Sequence, residues 1–208
     1  SKNILDFVDA GNQIKVALGE DLGEDAIKNI GKMVGVFDKS TKQLQGMGLK
    51  EQMLAVGSAV NELGASSSAS EDYLVQFAGR LGGVASQAGL SVDAILGFGS
   101  ALDQDMQQVE MSATALQNFI MKLMGEPAKF AKIAGMNVKE FSNLLNTDAN
   151  TAIKQVLRAM NEKGGFQQLI PIFNEMGLDG ARAVGVLSAM ASSIDKIDEA
   201  QKIANKAL

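Results

Sequence analysis

Glycine, then an apolar residue, then a residue whose side chain can cap a helix: this order recurs along the chain and leaves few folds open to it. It stands at Gly89-Leu90-Ser91, Gly135-Met136-Asn137 and Gly177-Leu178-Asp179, and Gly48-Leu49-Lys50 repeats its first two terms. Glycine enters the left-handed backbone region at no steric cost, and the apolar residue folds back on the helix just ended. The polar side chain then accepts from the free N–H groups of the next helix. The expected rhythm is helix, tight turn, helix, with Gly89, Gly135 and Gly177 as chain reversals. No stretch shows the period-two alternation of valine, isoleucine and threonine that marks a strand. The expected fold class is all-α, a multi-helix bundle of short helices joined by these turns.

Apolar spacing fills in the helices. The first runs from about Asn3 to Leu18 with Ile4, Leu5, Phe7, Val8, Ile14 and Leu18 as its apolar side. The second follows GEDLGEDA with Ile27, Ile30, Val34 and Phe37, and the third carries Met53, Val56, Val60 and Leu63. The small polar run ASSSAS at 65–70 reads as a link between an N-terminal subdomain, 1–64, and a core region, 71–192, with a last helix over 193–208. Ser68 and Glu71 have capping-box spacing for the fourth helix, which buries Leu74, Phe77, Leu81 and Val84. Gly79, Gly82 and Gly83 lie inside that helix, each costing about 1 kcal/mol against alanine. A Gly79-x-x-x-Gly83 groove seating the fifth helix, through Ile95 and Gly99, is the expected compensation. Further on, Pro127, Asp148 and Pro171 each open a helix, that of Asp148 bearing Ile153, Val156, Leu157 and Met160.

Composition narrows the chemistry. The 208 residues include no Cys, His or Trp, which removes disulfides, thiolate nucleophiles, the commonest general base and the commonest zinc ligand. Tyr73, hydroxyls, carboxylates and lysines are left for any catalysis. The first half is acidic, with 8 basic against 13 acidic side chains over 1–104, and the second is balanced at 11 against 11. Neither half makes a phosphate-binding surface, so no specific nucleic-acid binding is expected. The longest charge-free stretches, after Arg80 and after Arg182, are 12 residues each, short of the roughly 18–20 that cross a bilayer. The start SKNILDFVDAGNQ has no signal-peptide core, and the last residues form an amphipathic helix without a stop signal. The chain reads as a fragment of a longer protein.

Motifs that could carry chemistry fail on inspection. Gly31-Lys32 is followed by Met33 where a phosphate loop needs a hydroxyl, and Gly97-Phe98-Gly99 lacks the third glycine of a dinucleotide site. Asp103-Gln104-Asp105 begins like a calcium loop, but Gln108 and Thr114 replace the glycine and the bidentate glutamate, so an exposed interhelical turn is expected. Ser193-Ile-Asp-Lys196 matches Ser-x-x-Lys without its partner motifs and reads as a capped helix start. The quartet Glu20, Asp21, Glu24 and Asp25 reads as a solvated helix start. The 11 methionines suit irregular gaps between glycine-notched helices. No catalytic residue, cofactor or metal site is expected.

The order FAGRLGGVASQAGLSVDAILGFGSALDQ, SATALQNFIMKL, FAKIAGMNVKEFSNLLNTDANTAIKQVLRAM and FNEMGLDGARAVGVLSAM resembles the shared core region of tape measure proteins of long-tailed bacteriophages. The resemblance covers residues 73–192, at Ala88 to Leu102, Ser112 to Leu123, Ala134 to Leu145 and Met176 to Leu187. It implies a non-enzymatic virion or prophage protein, assembled in the bacterial host cytoplasm, that sets tail length during tube polymerisation. It also implies other copies of itself as partners, with tail tube, baseplate and tail-assembly chaperone proteins. The glycines around Gly82-Gly83 and Gly97-Gly99 speak against a uniformly extended rod. The alternative reading is a helical adaptor or protein-binding module outside phages.

Overall fold

The computed structural model describes residues 2–19, 24–164, 166–178 and 180–208, with the side chains of 24 and 166 left aside. Asp179, the third cap of the repeated turns, and Glu20 and Asp21 of the acidic quartet lie outside the described residues. Among these, twelve α-helices and one 3-10 turn, Lys42–Leu44, follow one another without a strand. They are α1 Lys2–Leu18, α2 Glu24–Phe37, α3 Leu49–Ser66, α4 Glu71–Gln87, α5 Val92–Gln104, α6 Val109–Gly125, α7 Pro127–Ala134, α8 Val138–Thr147, α9 Ala149–Glu162, α10 Phe166–Glu175, α11 Ala181–Ser192 and α12 Ile194–Ala207. The fold is an all-α multi-helix bundle.

The turns share one hydrogen-bond pattern. After Gly89, Gly135 and Gly177, at φ +82°, +68° and +71°, the next N–H reaches back five residues: Leu90 to Ala85, Met136 to Ala131 and Leu178 to Phe173, each 2.9 Å. That is the Schellman closure, which satisfies carbonyls a helix end leaves free. Ser91 and Asn137 then cap α5 and α8 by accepting from the N–H groups of Ala94 and Lys139, and Asp148 caps α9 from Thr151. A fourth closure occurs where no glycine announces it. Gln107 N–H reaches Leu102 at 2.9 Å around Met106, a non-glycine at φ +61°.

Three local expectations are corrected. Ser70, not Ser68, caps α4, its hydroxyl accepting from Tyr73 N–H at 3.0 Å. Pro171 sits inside α10 rather than opening it; Leu169, Phe173 and Met176 are buried at i, i+4, i+7 spacing, so the apolar face begins ahead of the proline. On α1 the inner face is Ala10, Gly11 and Ile14, with Phe7 against α2 at Gly31, while Ile4, Leu5 and Val8 are 64%, 70% and 50% exposed. Gly11 lets α1 lie so close to Ile27 of α2 that the helix turns its smaller residues inward.

One apolar cluster runs continuously from Ala10 to Ala204. Across the 65–70 link α2 packs on α4 and α12 on α3. The expected subdomains 1–64 and 71–192 therefore have no separate cores, and 193–208 packs back into the same one. At its centre is α5, buried at every residue from Val92 to Leu102, Asp93 and Ser100 included. α3, α4, α6, α11 and α12 surround it. Phe119 and Phe130 meet edge to face at 5.6 Å and tie α6 to α7, whose neighbours α8 and α9 complete the far end. Eight of the eleven methionines are buried or half-buried.

A left-handed L-residue costs roughly 1–2 kcal/mol, and the Met106 side chain is 90% exposed and packs on nothing that would offset it. Met106→Gly should therefore raise the unfolding free energy by about 1 kcal/mol in chemical denaturation, and an unchanged or lower value would show that the turn is not strained.

Candidate functional site

Among the described residues the densest gathering of interhelical contacts is the seam where α5 is seated, and that is the site to build. On α5 the glycines are contact points. A Cβ on Gly97 would lie 2.9 Å from the backbone nitrogen and 3.0 Å from the Cα of Gln201, and one on Gly99 would lie 2.7 Å from Cδ1 of Phe77. Gly97 thus admits the backbone of α12, and Gly99 the aromatic ring of α4. Gln201 is buried and its amide is fully used. Its Nε2 donates to the Ala94 carbonyl at 3.1 Å and to Asn150 Oδ1 at 2.9 Å, while its Oε1 accepts from Asn150 Nδ2 at 2.9 Å. Three helices, α5, α9 and α12, meet on that one side chain.

The helices α5 and α12 run antiparallel, fastened at both ends. Asn205 Nδ2 donates to Asp93 Oδ2 at 2.9 Å near the start of α5, where Asp93 Oδ1 is buried without a partner. Near its end Asp105 accepts from Lys196 Nζ at 2.8 Å and from the hydroxyl of Ser193. Between them Asp198 accepts from Lys154 at 2.7 Å and from Arg158, both on α9. Burial pushes the Asp198 carboxyl up, but Lys154 and Arg158 together outweigh it and leave it below its ordinary value.

Two motif expectations change here. Asp103-Gln-Asp105 does lead into the turn between α5 and α6, but its carboxylates are partnered: Asp103 accepts from Ser70 N–H at 2.6 Å and Asp105 holds the start of α12. Ser193 does precede α12, yet its hydroxyl serves Asp105 rather than capping the helix. Neither fastener is visible in the sequence, because each pairs a short local motif with a residue at least 33 positions away. Thr41 was likewise missed. It is fully buried and accepts from Val92 N–H at 2.9 Å, tying the loop before α3 to the start of α5.

Of the helix-packing residues singled out in the sequence, Leu74, Phe77, Leu81 and Ile95 are buried and Val84 is half-buried. Gly99 faces Phe77. Gly79 and Gly83 are exposed, and a Cβ on either would meet nothing within 4 Å. The groove for α5 is thus not where the glycine spacing placed it. α5 packs on the Phe77 side of α4, and the glycine of α4 that lies against a neighbouring helix is Gly82, where a Cβ would lie 3.3 Å from Cγ1 of Val36 on α2. Gly79 instead edges an open groove of about 590 Å³ between α2 and α4, floored by Met33, Phe37 and Val75.

Tyr73 is half-buried; its hydroxyl donates to Ser112 at 2.9 Å, and burial pushes its pKa up to about 12. It therefore stays protonated at neutral pH. No group of three or more potential metal ligands occurs among the described residues, and none of their helices is long and apolar enough to cross a membrane.

A family profile described as "Phage-related minor tail protein" matches residues 1–165, from α1 through the whole of α9. The chain belongs to that family. It is also 29% identical, over 163 residues, to a protein named "Probable tape measure protein" from Halomonas phage phiHAP-1. The match covers 75% of this chain and 19% of that protein, so the chain spans about a fifth of its relative's length. No solved structure matches. The resemblance to phage tail proteins read from the residues is thus shown at family level, and with it a structural role in a phage tail.

Two predictions follow from the seam. Gly97→Ala should destabilise the protein by about 1–3 kcal/mol through overpacking against α12, while Gly83→Ala should stabilise it by up to about 1 kcal/mol through helix propensity. Denaturation midpoints of both variants measure this, and equal signs would place the seam elsewhere. For Asp198, a carboxyl held low stabilises the fold above its ordinary value, about pH 4, and that contribution is lost as pH falls through the lowered value. Asp198→Asn should cost about 1 kcal/mol or less at pH 7, given partial exposure, and the gap to wild type should shrink by pH 3; a pH-independent gap would deny the ion pairs their role.

Proposed function

We propose that this chain is part of a tape measure protein, taking part in tail assembly and in setting tail length. The supporting observation is its 29% identity over 163 residues to the protein of that name from Halomonas phage phiHAP-1. On this reading it works without catalysis, beside other copies of itself, and meets the tail tube, baseplate and tail-assembly chaperone proteins. It is assembled in the bacterial host cytoplasm from a prophage-borne gene and ends in the virion tail.

The bundle adds a physical expectation. A ruler made of one continuous helix gains about 1.5 Å per residue, whereas a region whose helices reverse at Gly89, Gly135 and Gly177 contributes less than its residue count. Deleting Asn150 to Gly164 from the full protein removes most of α9, worth about 22 Å as continuous helix. Electron micrographs of the resulting phage should show tails shortened by clearly less than that, or no tails because the core is lost. An equal deletion in a turn-free helical part should shorten tails in full. Tails of normal number and length from both deletions would defeat the reading.

A further inference from the structure

The corner between α11 and α12 consists of one residue. α11 ends at Ser192 and α12 begins at Ile194, with Ser193 at φ −106° and ψ +22°, a modest rotation from helical values. Helix-type hydrogen bonds already reach into the corner from both sides: Ser193 N–H to Ala189 at 2.9 Å and Ile197 N–H to Ser193 at 3.0 Å. Turning Ser193 into the helical region would fuse the two into one helix from Ala181 to Ala207, about 40 Å long, and lift α12 out of its seat. What opposes this at the corner is Asp105, which accepts from both Ser193 Oγ and Lys196 Nζ.

The seat is specific and incompletely sealed. α12 turns a modest apolar face inward, Ile194, Ile197, Ala200 and Ala204, with the polar Gln201 among them. A cleft of about 310 Å³ runs along its flank between Leu63, Ser100 and Ile203. Without α12 the seat would present the Gly97 notch, the Asp93 and Asp105 carboxylates and the Asn150 amide, a set matched in register by Gln201, Asn205 and Lys196. The helix that fits this register is α12 itself, in this chain or in another copy.

We propose that α12 is an exchangeable strap: with Ser193 straightened, the α12 of a second copy fills the seat and the two chains form a reciprocal dimer. Such an exchange remakes in trans the contacts it breaks in cis, which makes it a low-cost route to association, and a very short hinge favours it. Only the bond from Ser193 to Asp105 belongs to the bent corner alone.

The test uses the chain described here, concentrated, warmed to the onset of unfolding and cooled, with mass read by light scattering after size exclusion. Wild type should yield a dimer that dissociates slowly on dilution. Ser193→Ala, which removes the corner bond and favours the straight helix, should raise the dimer-to-monomer ratio about tenfold, the equivalent of one hydrogen bond to a charged acceptor. Inserting three glycines after Ser193, which lets α12 fold back freely, should leave monomer. Because the chain has no cysteine, the double variant Asp93→Cys with Asn205→Cys reports who fills the seat: oxidation should link two chains in the dimer fraction and one chain to itself in the monomer. Monomer throughout, a dimer that survives the glycine insertion, or a dimer whose oxidised pair stays within one chain would each overturn the proposal.

Discussion

At Gly97 the backbones of α5 and α12 come so close that a single methyl group would strike Gln201 at its main chain. Much of the fold follows from that approach. A helix buried along its whole length, as α5 is from Val92 to Leu102, must be covered on every side by others, and glycine lets the last of them come within backbone distance. Nearness makes the contact tight and also removes apolar side chains from it. Polar groups compensate: the Gln201 amide satisfies Asn150 and an α5 carbonyl at once, and carboxylates at both ends of α5 hold the ends of α12. Buried polar networks of this kind define one arrangement because any slip of register leaves several groups unsatisfied.

What was legible in the sequence was local. Gly89, Gly135 and Gly177 close their helices by hydrogen bonds spanning six residues, and their signals lie within those same residues. Helix order and class could therefore be read from composition and spacing. Partners could not. Gly79 and Gly83 share a helical face and look like a groove, yet that face is open, and Gly82, between them in sequence, meets α2. The residues that seat α5, Gln201 and Phe77, lie 104 and 22 positions from the glycines they approach. Periodicity says that a glycine face exists without saying what approaches it. Asp103 and Asp105 teach the same lesson from the polar side, since a short acidic turn reads as solvated until Ser70 and Lys196 are placed beside it.

Membership of a phage tail protein family gives this architecture its setting. A protein whose role is structural needs shape more than a reactive centre, and the polar investment here lies in fasteners between helices. Those fasteners are uneven. Around α9 and α12 they are numerous, whereas α1 keeps Ile4, Leu5 and Val8 largely exposed, and its polar tie to α3 is an exposed ion pair, Asp9 with Lys50, a kind of contact that solvent and salt screen. Stability should accordingly be graded, greatest around α5 and least at α1.

Amide hydrogen exchange measures that gradient directly. If the close seating of α5 is what the bundle depends on, the amides of Ile95 to Leu102 should exchange only through global unfolding, with protection equal to the full unfolding free energy, while those of α1 exchange through cheaper local opening. Exchange in α5 as fast as in α1, or faster, would contradict the account.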